Sequence, residues 1–125
     1  MSEIAIKDSI LYSVKKQLGG LDPTEESPFD DDIIMQINGV FGILQQLGVG
    51  PKEGFAISDE TALWTDFTTD LIILGQVKPY MYAKVKLGFD IASTPSSVIT
   101  ALENIVHEYE FRMNVRVDPG DKESL

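Results

Sequence analysis

One apolar stripe between residues 33 and 47 constrains the fold of this chain more than any other feature of its sequence. Its members step by four, three, four and three residues, which is the spacing of one face of an α-helix: Ile33, Ile37, Val40, Leu44 and Leu47. Asp30 is placed to cap the start of this helix, and Gly48 is placed to end it. Gly39 and Gly42 lie inside the helix at a cost of about 1 kcal/mol each relative to alanine. Their presence predicts that another backbone packs closely there.

Three further segments have helical periodicity. A first helix is predicted from about Ile6 to Leu18, and a third from Leu71 to Phe89. Pro79 leaves two alternatives for the third helix, a start near residue 77 or a kink. A fourth helix follows Thr94 and ends near residue 114, with a buried stripe predicted at Val98, Leu102, Ile105 and Tyr109.

The predicted fold is therefore mostly α. It is a four-helix domain with a short extended or hairpin-like insertion between the second and third helices. The length of 125 residues fits one domain, which we place at residues 1–117, followed by a polar C-terminal tail at 118–125.

The chain is acidic, and the acidity is concentrated. The formal net charge is −10, and residues 21–60 hold nine acidic side chains against the single base Lys52. This disfavours nucleic-acid binding, because neutralising phosphates is the main source of its affinity. Lysines at 78, 84 and 86 alternate with tyrosines at 80 and 82, but in an acidic chain this pattern is more typical of a solvated helix face than of a DNA-binding site.

Several classes of protein are disfavoured by what the sequence lacks. It has no cysteine, which excludes disulfides and thiolate metal sites and fits a protein made in a reducing cytoplasm. No apolar run approaches the ~18 residues of a membrane-spanning helix, and no signal-peptide pattern is visible at the N-terminus. We therefore expect no membrane association.

No arrangement of residues predicts catalysis or a cofactor. His107 is the only histidine and is expected on a polar or boundary face of the fourth helix. The run "DDD" at residues 30–32 lacks the alternate spacing and the distal glutamate of a cation-binding loop, so helix capping explains it better. We expect a protein that is not an enzyme and has no metal or cofactor.

Two segments are candidates for contacts with other proteins. The stretch "GFAISDETALWTDF" crowds Phe55, Ile57, Trp64 and Phe67 among acidic residues. Its tryptophan either completes a local core or anchors a contact between subunits, since aromatic residues dominate interface energetics. The second candidate is the apolar and basic run that ends the fourth helix, "EYEFRMNVRVDP".

The order and spacing of whole blocks resemble one known family. These blocks are "DSILYSVKKQLGGLDPTEESPFDDDIIMQINGVFGILQQLGVGP", "GFAISDETALWTDF", "VKPYMYAKVKLGFD" and "SSVITALENIVHEYEFRMNV", and the resemblance runs from about Asp8 to Val117. They are similar to the head–tail connector adaptor proteins of phages and prophages of Gram-positive bacteria.

The resemblance implies a structural protein of the virion neck, made in the host cytoplasm. It implies a ring of subunits, typically twelve, which lies at the head–tail junction between the portal protein and the next neck or tail protein. DNA would pass through the channel of this ring without specific binding. The resemblance also implies a portal-facing segment, which maps to Phe111, Arg112, Val115, Arg116 and Val117. The intersubunit surface maps to the insertion, at Phe55, Ile57, Trp64 and Phe67.

Two alternatives stay open from the sequence. One is another neck component, a stopper or tail-completion protein, although such proteins tend towards β-rich folds. The other is a small helical interaction module of non-viral origin, which would form a stable monomer or dimer instead of a ring.

Overall fold

The apolar stripe forms a long helix, as predicted. In the computed structural model, which describes residues 4–20, 22–89 and 94–117 and side chains as far as residue 114, helix α2 spans Asp30–Gln46. Its buried side chains are Ile33, Ile37, Val40, Phe41 and Leu44. Phe41 widens the stripe, so α2 forms one wall of the core.

Four other helices complete the described chain. In chain order they are α1 (Ile10–Leu18), α3 (Trp64–Phe67), α4 (Leu71–Phe89) and α5 (Ser96–Val117), and no strand is present among the described residues. The prediction of a mostly helical, four-helix domain is confirmed. The insertion between α2 and α4 contains the one-turn helix α3, and just before it Leu63 forms an isolated antiparallel bridge with Ser9.

Helix α4 lies at the centre and packs against α1, α2 and α5. Its buried residues include Tyr80, Met81 and Ala83, which point in different directions around the helix, as expected of an element covered on several sides. Pro79 lies inside α4, so the helix does not begin near residue 77. Proline removes the donor to the carbonyl four residues earlier, and that carbonyl belongs to Gly75, an exposed residue at which water can replace the lost hydrogen bond.

Helix α1 begins four residues later than predicted. Ser9 caps it, because its Oγ accepts a hydrogen bond from the backbone N–H of Tyr12 at 3.2 Å. The N–H of Ile10 donates to the carbonyl of Ala62 at 3.1 Å, a partner far away in the sequence. This long-range pairing holds the preceding residues in a non-helical conformation.

The predicted N-cap of α2, Asp30, has a different role. Asp30 is the first helical residue, and its carboxylate lies 2.9 Å from the ammonium of Lys15, which is only 1 % exposed. Its other oxygen accepts from the N–H of Ser27 at 3.1 Å, and Lys15 also donates to the carbonyl of Glu25 at 2.6 Å. The buried ammonium of Lys15 needs both partners, because removing a charge from water is costly unless other groups compensate it. Asp30 therefore joins α1 to the start of α2.

The buried face of α5 differs from the predicted stripe. Val106 and Met113 are buried and Leu102 and Tyr109 are partly buried, whereas Val98 and Ile105 are exposed. The prediction was wrong at these two exposed positions. The contact face is set by α4, which is the main packing partner of α5, and an apolar periodicity alone does not show which side of a helix a neighbour will cover.

The two glycines of α2 have no close neighbour within the described chain. A Cβ atom built at Gly39 or Gly42 would have no atom within 4 Å, so the predicted close packing is wrong for the single chain. The predicted polar tail at 118–125 lies outside the described residues. No helix in the described part of the chain is long and apolar enough to cross a membrane.

Candidate interaction surfaces

The insertion folds onto α2 through an aromatic cluster. The ring of Phe41 lies 4.9 Å from that of Phe67, 5.0 Å from Phe55 and 6.4 Å from Trp64, measured between centroids. Trp64 also meets Tyr82 of α4 edge to face at 6.3 Å. The cluster therefore ties the insertion to α2 and α4.

Specific hydrogen bonds fix the orientation of the insertion. The indole N–H of Trp64 donates to Ser13 Oγ at 3.0 Å, and this pair is buried. The side chain of Asn38 donates to the carbonyl of Ile57 at 3.0 Å and accepts from the N–H of the same residue at 2.8 Å. Satisfying the polar atoms of buried groups in this way determines one register for the segment.

One glycine is required where the chain leaves α2. Gly50 has φ +91°, and a Cβ atom at this position would collide with the ring of Phe67. Any side chain there would be strained and would push Phe67 out of the cluster. The loop thus covers the aromatic cluster closely.

The predicted intersubunit residues are mostly covered by their own chain. Ile57 and Phe67 are buried, Trp64 is 2 % exposed, and only Phe55 keeps a partly exposed edge. Of the two uses left open for Trp64, the single chain shows the local core. The assignment of these four residues to a subunit boundary stays a prediction, with Phe55 as the side chain that a neighbour could reach.

The predicted portal-facing segment begins with two exposed residues. Phe111 is 70 % exposed, and Arg112 pairs with Glu108 one turn earlier on α5 while its guanidinium lies 5.2 Å from the ring of Tyr109. Val115, Arg116 and Val117 belong to the last turn of α5, and their side chains lie outside the described residues. The assignment of the five residues to a portal contact stays a prediction.

A buried phenol holds α5 against α4. Tyr80 is fully buried, and its hydroxyl donates to Glu110 Oε2 at 2.7 Å. Burial raises the pKa of Tyr80 well above its ordinary value, and the hydrogen bond to the Glu110 carboxylate raises it further. The neutral phenol is therefore the form that the folded protein favours.

Two surface features were not predicted from the sequence. A groove between α2 and α5 has α4 as its floor and is lined by Met35, Gly39, Val106 and His107 among others. It is continuous, through Met35 and Gly88, with a second depression that we call the acidic pocket. Gly39, one of the two α2 glycines, lines the groove and was its only signal in the sequence, whereas the acidic pocket had none.

The acidic pocket lies where α1, α2 and α4 come together, at the carboxyl-terminal end of α4. Its volume is about 510 Å³, and its lining includes Leu18, Phe29, Asp32, Met35, Gln36 and Phe89. The rings of Phe29 and Phe89 meet edge to face at 5.9 Å. The lining of the pocket combines the apolar side chains of Leu18, Phe29, Met35 and Phe89 with the carboxylate of Asp32 and the amide of Gln36.

No group of three or more potential metal ligands occurs among the described residues. His107 is exposed on α5 and lines the groove.

Comparison with known proteins identifies the family. No curated protein and no solved structure matches the chain. A family model described as phage connector protein matches residues 10–120, which is nearly the whole chain. The chain therefore belongs to the phage connector proteins, a family with a structural role in the phage particle.

Proposed function

We propose that this connector protein is an adaptor of the phage neck. In this proposal its subunits form a ring, dodecameric as in the adaptors that it resembles. The ring lies at the head–tail junction, binds the portal protein on one side and the next neck or tail protein on the other, and extends the DNA channel. The single observation that carries the proposal is the family match over residues 10–120.

One property of the described surface supports this proposal. Leu71 and Ile72 at the start of α4 and Phe111 on α5 are large apolar side chains that the chain itself leaves exposed. Leu71 and Ile72 are neighbours and both are exposed, and adjoining exposed apolar side chains of this kind are typical of contact surfaces. The portal-facing segment that we propose is the end of α5, with Phe111, Arg112, Val115, Arg116 and Val117.

The experiment compares two truncations in binding to the assembled portal protein of the same phage. A chain that ends after Met113 loses the last turn of α5, whereas a chain that ends after Val117 loses only residues 118–125. We expect the shorter chain to lose portal binding and the longer chain to keep it. Far-ultraviolet circular dichroism of both chains checks that the helices persist, since the buried Met113 is retained in each.

The same experiment distinguishes the adaptor from another neck component and tests each part of the proposal. If the intact chain does not bind the portal but binds a tail-side protein, it is another neck component. If the shorter chain binds as well as the longer one, the assignment of the last turn is wrong. If the intact chain binds neither partner, the adaptor function is wrong.

A further inference from the structure

The described surface carries an exposed aromatic side chain, Phe111, and, elsewhere, an open pocket lined in part by apolar side chains. We infer that the acidic pocket of one subunit receives Phe111 and Arg112 of a second copy of the same chain. This inference rests on the proposed function, because it names the contact that would join the subunits of the ring.

The pocket is open, and large apolar side chains contribute to its lining. Met35 is 69 % exposed and Phe29 is 48 % exposed, and both line the pocket. The amide of Gln36 donates to the carbonyl of Gly88 at 3.4 Å across its floor, which joins α2 to the end of α4. A volume of about 510 Å³ lies in the range of pockets that bind whole ligands, so there is room for an aromatic ring and the stem of a neighbouring side chain.

The rim of the pocket favours a cation. Asp32 lines it and Asp31 is exposed in the same turn of α2, whereas Asp30 is neutralised by Lys15. Neither Asp31 nor Asp32 has an ion-pair partner among the described residues. An occupant with an apolar side chain beside a positive charge therefore fits both the apolar and the acidic part of the lining.

The end of α5 has this composition. Residues 111–117 include Arg112 and Arg116 and no acidic residue, in a chain of net charge −10. Arg112 pairs with Glu108 on its own helix, but both side chains are about half exposed, so the guanidinium stays accessible to a second carboxylate. Phe111 precedes the buried Met113 by two residues, and positions two apart on a helix are about 200° apart. Phe111 consequently points away from α4, where a second molecule can reach it.

The two surfaces cannot meet within one chain. The hydrogen bond between Tyr80 and Glu110 places Phe111 beside the middle of α4, whereas the pocket lies at Gly88 and Phe89. The two positions are separated by about nine residues of α4, or about 13 Å along its axis. Each copy therefore offers one donor surface and one acceptor surface at different places.

A contact between two different surfaces of identical subunits is heterologous. Repetition of such a contact gives a closed ring when the rotation closes and an open filament when it does not. The inference therefore agrees with a ring and does not require a partner protein to form it. It also revises the proposed portal segment: Phe111 and Arg112 would contact a neighbouring subunit, and only the last turn of α5, Val115 to Val117, would face the portal.

The test uses one variant for each half of the contact. Phe111→Glu removes the donor and Met35→Glu removes the acceptor, and both residues are exposed enough that the fold should tolerate the change. In sedimentation velocity the unaltered chain should self-associate with rising concentration, and each variant alone should stay monomeric. An equimolar mixture should form a 1:1 dimer, because it contains one intact donor and one intact acceptor.

Three further variants refine the test. Phe111→Ala should weaken association by about 10- to 100-fold, the effect expected for loss of one buried aromatic side chain. Asp32→Ala should weaken it by no more than about 5-fold, because the ion pair stays near the surface. Leu71→Glu is the matched control: its side chain is 79 % exposed but lies outside the proposed contact, so association should not change.

The inference is wrong if the intact chain is monomeric at every concentration tested, or if the mixture of the two variants stays monomeric. It is also wrong if either variant associates like the unaltered chain. The chain that ends after Met113 separates this inference from the proposed function, since it retains Phe111 and Arg112. If that chain self-associates without binding the portal, both proposals hold. If intact subunits bind the portal but the mixture does not dimerise, only the pairing of surfaces is wrong.

Discussion

At the scale of single residues, Trp64 shows how an acidic segment can contain a core side chain. Its ring contacts Phe41 and Tyr82, and its N–H is satisfied by Ser13 on a third element. The surrounding acidic residues lie on the outside of the insertion, where Asp59 and Asp66 are exposed. One residue thus joins the insertion to α1, α2 and α4.

We predict that Trp64→Ala destabilises the single chain strongly. Truncation of a buried aromatic residue costs about 3–5 kcal/mol because a cavity remains, so the urea midpoint should fall in a circular dichroism titration. Ser13→Ala is the milder comparison: it leaves the indole N–H without an acceptor and should cost about 1–3 kcal/mol. A Trp64→Ala chain as stable as the unaltered one would show that the indole serves a subunit contact instead.

At the scale of elements, the pairing of α5 with α4 depends on a buried phenol. The raised pKa of Tyr80 means that the folded state holds the phenolic proton more tightly than the unfolded chain, in which the pKa is near 10. The stabilisation is complete below that ordinary value and is lost as the pH rises above it towards the raised value of the folded state. Alkaline conditions should therefore weaken the attachment of α5 selectively.

The prediction for this pair compares two tyrosine variants. Tyr80→Phe should lose about 1–2 kcal/mol at neutral pH through the missing hydrogen bond to Glu110, and its stability should fall less steeply above pH 10. Tyr82→Phe is the control. Burial also raises the pKa of Tyr82, but the hydroxyl that donates to Glu110 is that of Tyr80. Urea titrations at neutral and alkaline pH measure both effects. Equal alkaline losses in Tyr80→Phe and the unaltered chain would contradict the assignment.

The elements also show where sequence reasoning succeeds and where it stops. The α2 stripe and the span of α4 were predictable because a regular apolar spacing is a local property of the chain. The start of α1 was not, because it depends on a hydrogen bond from Ile10 to Ala62, a residue 52 positions away. The exposed Val98 and Ile105 were missed for a similar reason: the face of α5 that becomes buried depends on α4.

Of the candidate surfaces, one was predictable from the sequence and one was not. The apolar and basic end of α5 was recognisable from composition, and Phe111 is indeed exposed. The acidic pocket was not recognisable, because Leu18, Phe29 and Phe89 come from three separate segments that only the fold brings together. The α2 glycines gave a signal that was misread: they mark an open surface of the single chain instead of a packed one.

At the scale of the whole molecule, the charge distribution bears on the proposed DNA channel. The net charge is −10, and two of the described lysines are already engaged: Lys15 is buried against Asp30, and Lys78 lies 5.7 Å from the ring of Trp64. A surface of this kind gains little from counterion release, which supplies nearly all non-specific DNA affinity. A ring built from such subunits would let DNA slide, because the wall of the channel would not hold its phosphates.

We therefore predict that the protein, alone or assembled, does not bind duplex DNA in fluorescence anisotropy even at about 50 mM salt, with a Kd weaker than the 10⁻⁴–10⁻⁶ M typical of non-specific binding. The matched control replaces five exposed acidic residues by lysine and brings the formal net charge to zero: Asp22, Glu25, Glu26, Asp31 and Asp32. This variant should gain an affinity that falls steeply with salt, since the new lysines would release counterions from the phosphates. Tight, salt-sensitive binding by the unaltered chain would mean that it grips DNA through a basic surface, and a passive channel wall would then be the wrong description of this protein.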